Sequence, residues 1–338
     1  MNIFNNHKRL YTTAGLLFLV LTFLTAIQPA LRNQKNNAPL PDTQPLSGDA
    51  LAGKNVYISE GCVGCHSQQV RNVDMDNSFG SRPGIPADYA NNHRMSVWVN
   101  TATLMGTERT GPDLSDIGKR QPSKDWHLMH LFNPRSVVAQ SIMPSYEWLF
   151  EIKEKPEKSD VIVSMPAKFL NGRTGKVVAS KKALQLLAYI QSLQQALLPG
   201  EMKPNKFLYK KEETASAAKA GGQKSEPDGK GLYAANCQSC HQENGEGLKG
   251  AFPSLKGSTV VSGENLELYV DIIMNGYDPR PEYGAMPAIG TTMEFDENKV
   301  SAIINYERTA WGNAGKKTTP EEIKKIMDFI KIKVSAEK

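Results

Sequence analysis

The stretch Cys62-Val63-Gly64-Cys65-His66 decides the fold, and its pattern returns at Cys237-Gln238-Ser239-Cys240-His241. The two copies use all four cysteines of the chain. A CxxCH motif is the attachment site of c-type haem, in which both thiols form thioether bonds to the porphyrin and the histidine ligates the iron. We therefore predict two covalently bound haems c, one at each motif.

Two other kinds of site also use cysteines two positions apart. These are a dithiol redox pair and a four-ligand zinc site. Neither accounts for a histidine directly after each pair of cysteines. The pattern therefore favours haem, because chance produces one CxxCH far more readily than two copies that exhaust the cysteines.

A haem that only carries electrons needs a second axial ligand, whereas a catalytic or gas-binding haem leaves that position open. In each half of the chain, a predicted helix ends shortly before a Met-Pro dipeptide, which supplies Met143 or Met286. The proline keeps the preceding chain extended, so that the thioether can point inward. We predict that Met143 pairs with His66 and that Met286 pairs with His241, an arrangement typical of electron transfer.

Met165 is the alternative to Met143, since it also precedes a proline, but it follows a charged stretch rather than the end of a helix. Each half also carries a proline between its haem motif and its methionine, at Pro112 and Pro253. A carbonyl there can accept the Nδ1 proton of the proximal histidine and so set the orientation and basicity of the imidazole. Otherwise these prolines are turn residues.

The two halves share a layout. The Gly-Lys pair and the tyrosine at 53–57 recur before the second motif at 229–233. Each half ends in an amphipathic helix, predicted at 181–195 and at 298–311, and no strand-length alternating run competes with them. We therefore predict an all-α fold, in which a single N-terminal transmembrane helix precedes two cytochrome c domains.

The apolar segment from Leu10 to Ile27 carries no charge and would span about 27 Å as a helix, close to the hydrocarbon thickness of a bilayer. Lys8 and Arg9 precede it, so the positive-inside preference places the N-terminus in the cytoplasm and the haem domains in the periplasm. A cleaved signal peptide is the alternative, but no convincing cleavage site follows the apolar run. We predict a single-pass anchor in the inner membrane, in contact with lipid.

Composition sets the remaining boundaries. A stretch rich in Lys, Glu, Ala, Ser and Gly separates the halves and is predicted to be a flexible linker. The net charge of +5 is modest and spread over linkers and tail, so we predict no nucleic-acid partner. The predicted segments are 1–31 (cytoplasmic start and anchor), 32–48 (linker), 49–195 (first cytochrome c domain), 196–227 (flexible linker), 228–313 (second cytochrome c domain) and 314–338 (basic helix and tail).

Several histidines lie outside the haem motifs. His127 and His130 have helical i, i+3 spacing, but no third ligand is evident, so we predict packing and hydrogen-bonding roles. The first half also carries a long insertion at 67–111, which contains His93 and Trp98. Loops of this length inside a compact domain usually serve binding.

Three runs in the first half resemble the membrane-anchored monohaem cytochrome c subunit (subunit II) of cbb-three-type cytochrome oxidases. They are YISEGCVGCHSQQVRN at 57–72, GTERTGPDL at 106–114 and WHLMHLFNPRSVVAQSIMPSYEWL at 126–149. The resemblance implies a helical fold around haem, a periplasmic location and a separate haem-copper catalytic subunit as partner. By that pattern Cys62 and Cys65 attach the haem, and His66 and Met143 are the axial ligands.

The second half departs from that pattern, and its NYERTAWGN run at 305–313 resembles the final helix of class I cytochrome c domains. We predict a di-haem electron-transfer subunit of a respiratory terminal oxidase, without catalysis of its own. Electrons would come from a periplasmic or membrane donor, and we hypothesise that they reach the second haem before the first. The alternatives are a subunit of another oxidoreductase such as a nitric oxide reductase, a di-haem peroxidase and a haem sensor.

Overall fold

The fold is given by a computed structural model that describes residues 5–36, 45–90, 104–199, 206–207, 227–278 and 283–336. Helices account for 51% of the chain, so the predicted helix-rich fold is confirmed. The chain divides into two compact units, each discontinuous in sequence. The first comprises Met1–Ser47, Val63–Ser115 and Gln194–Lys210, and the second comprises Gly48–Cys62, Asp116–Leu193 and Lys211–Lys338.

The N-terminal apolar segment forms a continuous helical stretch. It consists of α1 (His7–Thr22), a π-helical turn (Phe23–Ile27) and α2 (Gln28–Asn36). Within it, His7–Asn33 is long and apolar enough to cross a membrane, and none of the 18-residue window that meets this test is buried inside the protein. The hydroxyls of Thr12 and Thr25 donate to carbonyls of the preceding turn, which satisfies these two polar groups without water.

The helices that follow the anchor include all five that the apolar pattern of the sequence predicts. The helices predicted from the apolar pattern at 125–132, 181–195, 264–275, 298–311 and 320–334 are all present, with ends within three residues of the prediction. The helices after the anchor are α3 (Gly48–Ser59), α4 (Ala87–Ala90), α5 (Ile117–Arg120), α6 (Lys124–Phe132), α7 (Lys181–Ser192), α8 (Gly229–Asn236), α9 (Gln238–His241), α10 (Thr259–Ser262), α11 (Leu266–Asn275), α12 (Ile289–Thr292), α13 (Glu297–Thr309) and α14 (Pro320–Ala336).

The repeated layout at 53–57 and 229–233 corresponds to two similar helix pairs. In the α3–α7 pair, Tyr57 meets Tyr189 edge to face with ring centroids 5.4 Å apart. In the α8–α13 pair, Tyr233 meets Tyr306 at the same centroid distance. A glycine one turn earlier permits each approach, since a Cβ there would lie 1.8 Å (Gly53) or 2.2 Å (Gly229) from a carbonyl oxygen of the partner helix.

The sequence analysis predicted no strands, and this prediction is wrong. Three antiparallel strands, β1 (Phe150–Lys153), β2 (Ile162–Val163) and β3 (Lys176–Ala179), form a sheet in the order β1-β3-β2. The strands are too short for an alternating pattern to stand out, and the central strand is buried at three successive residues, so it shows no alternation. The fold is therefore helix-rich but not all-α.

The helix predicted in the C-terminal tail packs into a core. Ile323, Met327 and Ile330 of α14 are buried in the same cluster as residues of α11 and α13. These three side chains have the i, i+4, i+7 spacing of one helical face. The amphipathic pattern of α14 therefore reflects burial within the second unit.

Candidate haem sites

The second CxxCH motif lies in one helical turn that follows α8. The N–H of His241 donates to the carbonyl of Cys237 at 3.0 Å, which closes the turn. Gln242 then takes a left-handed conformation, with a φ of 63°, and redirects the chain. Within this turn, Cys237 and His241 both lie beside one cavity.

His241 is oriented by a backbone oxygen. Its side chain is buried, and its Nδ1 lies 2.9 Å from the carbonyl oxygen of Pro253. Because a carbonyl only accepts, Nδ1 donates its proton to it, and Nε2 is the nitrogen left to ligate a metal. Burial lowers the pKa of His241, which favours the neutral imidazole that metals bind. The hydrogen bond between the proximal histidine and the Pro253 carbonyl, which the sequence analysis considered, is therefore present.

The cavity beside this motif encloses about 830 Å³, including open space at its mouth. The cavity is lined by Cys237, His241 and Met286. It therefore adjoins one cysteine predicted to attach the haem and both predicted iron ligands. Most of the other lining side chains are apolar or aromatic, among them Pro253, Leu255, Val260, Val261, Tyr269 and Ile272. A large, mainly apolar pocket with a few convergent donor atoms suits a bulky cofactor, so these residues fit haem.

The loop that carries Met286 is held by its backbone. Tyr277 and Met286 exchange two N–H···O bonds of 2.9 Å each. Gly276, at the end of α11, has a φ of 83°, and a Cβ there would lie 2.5 Å from the Met286 carbonyl oxygen. Glycine therefore permits the close approach that places Met286 at the cavity wall.

The thiols of the second motif are not those of a redox pair. Burial raises the pKa of Cys240 to about 12 and that of Cys237 well above its ordinary value. A reactive dithiol needs a lowered pKa instead. Among the described residues, no group of three or more His, Cys, Asp or Glu side chains is placed to hold a metal ion. The geometry thus favours haem attachment over the dithiol and zinc alternatives.

In the first unit, His66 has the same kind of partner. Its Nδ1 lies 2.8 Å from the carbonyl oxygen of Pro112. Gly111 lies against the imidazole, since a Cβ there would be 2.3 Å from Cε1, and its N–H donates to the Cys65 carbonyl at 2.9 Å. Here too Nδ1 donates its proton, and Nε2 is left to ligate a metal.

A buried ionic network, which the sequence analysis missed, supports the chain after His66. The Asp113 carboxylate accepts hydrogen bonds from the Ser67 hydroxyl at 2.6 Å and from the Gln69 N–H at 2.7 Å. Arg109 also donates to the Ser67 hydroxyl, at 2.6 Å, and it pairs with the fully buried carboxylate of Asp76. The only signal in the sequence was the opposite charges at 109 and 113. The network ties the segments on either side of Gly111 and Pro112 to the first haem motif.

The other predicted ligands of the first site lie in different parts of the fold. Cys62 and Met143 belong to the second unit, whereas Cys65 and His66 belong to the first. Met143 is half-buried in the loop after α6, and its N–H donates to Ser141 Oγ at 3.3 Å. Met165 is also half-buried, just after β2. The pairing of His66 with Met143 therefore stays a prediction.

The two histidines of α6 make packing and hydrogen-bond contacts. His127 is buried, its Nε2 lies 2.7 Å from the Gln121 carbonyl oxygen, and burial lowers its pKa to about 4. His130 stacks on Trp126 with ring centroids 4.6 Å apart. His93 and Trp98 of the insertion lie outside the described residues.

A membrane-length helix, two CxxCH motifs and a cavity lined by Cys237, His241 and Met286 are the features of a membrane-anchored cytochrome c. Residues 2–170 match the family model of the cytochrome c oxidase mono-heme subunit, FixO. Residues 225–306 match that of the cbb3-type cytochrome c oxidase subunit III. The chain belongs to the FixO family, which confirms the resemblance seen in the first half of the sequence, and its residues 225–306 are similar to the cbb3-type subunit III.

Individual relatives are also cytochromes. Cytochrome c-552 of Thermus thermophilus is 34% identical over 110 residues, which cover 29% of this chain and 83% of the relative. The cytochrome c subunit of a quinone alcohol dehydrogenase from Gluconacetobacter polyoxogenes is 31% identical over 119 residues, which cover 34% of this chain and 25% of that protein. The chain therefore binds haem c covalently and is an electron-transfer subunit of a cbb3-type oxidase that works with a haem-copper catalytic subunit.

Proposed function

We propose that this chain binds two haems c and carries electrons from a periplasmic or membrane donor to the catalytic subunit. The observation that best supports two sites is the cavity shared by Cys237, His241 and Met286, in a region outside the mono-heme family match. The residues proposed to hold the two cofactors are Cys62, Cys65, His66 and Met143 for the first, and Cys237, Cys240, His241 and Met286 for the second.

Haem c supplies reversible one-electron chemistry at its iron when it is bound. The proposed methionine ligands raise the reduction potential and close the iron to substrates. The carbonyl oxygens of Pro112 and Pro253 accept hydrogen bonds from Nδ1 of the two histidines. These bonds orient Nε2 and increase its basicity. The apolar wall of the second cavity limits access of water to its site.

The two sites are proposed to belong to class I cytochrome c domains at 49–195 and 228–313. The matching helix pairs α3–α7 and α8–α13 support this assignment, because both place a glycine and a tyrosine against the closing helix. The anchor is proposed to cross the inner membrane once and to contact lipid. The N-terminus would then be cytoplasmic and both haem domains periplasmic, since Lys8 and Arg9 precede the apolar helix.

Purification through this chain tests the proposed function. The detergent-solubilised complex should contain a haem-copper subunit and should consume oxygen when a reduced c-type donor is added. The reduced full-length chain alone should not bind carbon monoxide, because methionine occupies the sixth position. Strong carbon monoxide binding by that chain would instead favour the peroxidase or sensor alternatives. A co-purifying nitric oxide reductase would contradict the proposed partner.

The reduction potential of the second haem should depend on pH through Glu307. This carboxyl group lines the cavity, and burial raises its pKa to about 7, although a hydrogen bond from the Tyr269 hydroxyl opposes the shift. The carboxylate stabilises the more positive ferric state, so the potential should fall as pH rises through that pKa, by at most about 59 mV per pH unit.

Redox titration from about one pH unit below to one above this pKa measures the effect. Glu307→Gln should flatten the dependence, because the amide does not titrate. Glu294→Gln is the control, since that carboxylate is 81% exposed. An unchanged pH slope in Glu307→Gln would show that another group titrates.

A further inference from the structure

The segment that leads into α6 and the first turn of that helix contact the second haem motif. The side-chain amide of Gln121 donates to Ser239 Oγ at 2.9 Å. The indole N–H of Trp126 donates to the Ser239 carbonyl at 3.1 Å. Ser239 lies between the two cysteines of the motif, so both contacts act on the segment predicted to attach the second haem.

The same turn also contacts the loop that carries the predicted methionine ligand. The Asp125 carboxylate accepts a hydrogen bond from the backbone N–H of Ala285, next to Met286. A Cβ on Gly284 would lie 2.5 Å from Asp125 Oδ2, so glycine permits this approach. One helical turn thus binds both segments that supply axial ligands to the second site.

The contacting side chains are held in place by α6 itself. Trp126 stacks on His130, with ring planes only 9° apart, and meets His127 edge to face. His127 Nε2 in turn bonds to the Gln121 carbonyl oxygen at 2.7 Å, and Gln121 is buried. Stacked rings and buried hydrogen bonds give Trp126 and Gln121 little freedom to move.

The other end of α6 leads to the loop of the first predicted methionine ligand. α6 ends at Phe132, and after the loop that carries Met143 the Tyr146 N–H donates to the Leu131 carbonyl at 2.9 Å. A single short helix therefore runs from the second haem-binding segments to the base of the Met143 loop.

We propose that Gln121, Asp125 and Trp126 form the surface on which the second haem-binding segments dock, and that they position these segments against α6 for electron exchange between the two haems. This inference rests on the proposed function, since it needs a haem in each half. In each event one electron would pass, so that one haem is oxidised as the other is reduced and no outside reductant is needed. The three side chains position the sites and do not themselves change oxidation state.

The test is the rate of electron redistribution between the haems after partial reduction of the full-length chain by an electron pulse. Trp126→Leu should slow redistribution by at least about tenfold, because small displacements of positioned reacting groups cost this much or more. Haem content and both reduction potentials should stay unchanged, which a general loss of structure would not allow. Amide exchange of the segment 237–241 should become faster.

Ser239→Ala is a milder second variant, because it deletes the bond from Gln121 and the long contact of the hydroxyl with Cys240 Sγ but keeps the carbonyl that accepts from Trp126. It should slow redistribution by less than Trp126→Leu does. Trp148→Leu is the matched control, since that indole is exposed and donates to Glu60. It should leave the rate unchanged.

Equal rates in the wild-type chain, Trp126→Leu and Ser239→Ala would overturn the docking proposal while two-haem binding stood. A chain that carries only one covalent haem would instead overturn the proposed function. The haem content of each preparation, measured first, therefore separates the two failures.

Discussion

Replacing Cys237 and Cys240 with serine is expected to halve the haem c bound per polypeptide. Serine has no thiol for the thioether bonds, so the second site cannot hold its cofactor covalently. The pyridine haemochrome absorbance, divided by protein concentration, measures the change. Haem staining after denaturing electrophoresis checks that the remaining cofactor is covalent.

The matched variant carries Cys62→Ser and Cys65→Ser and should also lose half of the haem. The four replacements together should abolish covalent haem. The folded state of each variant is checked by its helical circular dichroism, since 51% of the chain is helical. Unchanged haem content in either double variant would refute attachment at that motif.

Replacing Met286 with alanine is expected to lower the reduction potential of the second haem and to open its iron to carbon monoxide. Thioether ligation favours the ferrous state, and its loss also empties the sixth coordination position. The drop should be on the order of 0.1–0.2 V, part of the roughly 0.8 V over which axial ligands set haem potentials. Spectroelectrochemical titration measures the potential, and the reduced spectrum under carbon monoxide reports the open position.

Met274→Ala is the control for this variant, because Met274 packs against the core of the second unit and does not line the cavity. It should cost stability but leave both haem potentials near their wild-type values. For the first haem, Met143→Ala should have the effect expected of Met286→Ala, whereas Met165→Ala should not. The reverse outcome would transfer the ligand assignment to Met165.

Local sequence was enough to predict the elements of this fold that depend on neighbouring residues. The helix α6 ends at Phe132, with Asn133 as its C-cap before a proline, as the pattern predicted. The apolar run from Leu10 to Ile27 lies within one helix, as predicted. Its length and apolar composition alone are those of a membrane-spanning helix. The family matches confirm the haem c class that the CxxCH pattern indicated.

The sheet and the buried polar groups could not be predicted in the same way. The strand β3 lacks alternation because Val177, Val178 and Ala179 are all buried, and burial on both faces depends on elements distant in sequence. Glu307 reads as one charge on an amphipathic helix, yet it lines the cavity and bonds to Tyr269 of α11. The contact between Glu307 and Tyr269 forms only when the folded chain brings α11 and α13 together, so neither residue predicts it from the sequence.

The sequence by itself determined the class of cofactor, the membrane-length helix and the bounds of five further helices, because these follow from residues adjacent in the chain or spaced by one helical turn. Only the tertiary structure decided that Trp126 meets Ser239, that α14 completes a core, and that Cys237, His241 and Met286 share one cavity. These contacts join segments tens to more than a hundred residues apart. Packing of the whole chain selects such contacts, since no local pattern distinguishes one distant partner from another.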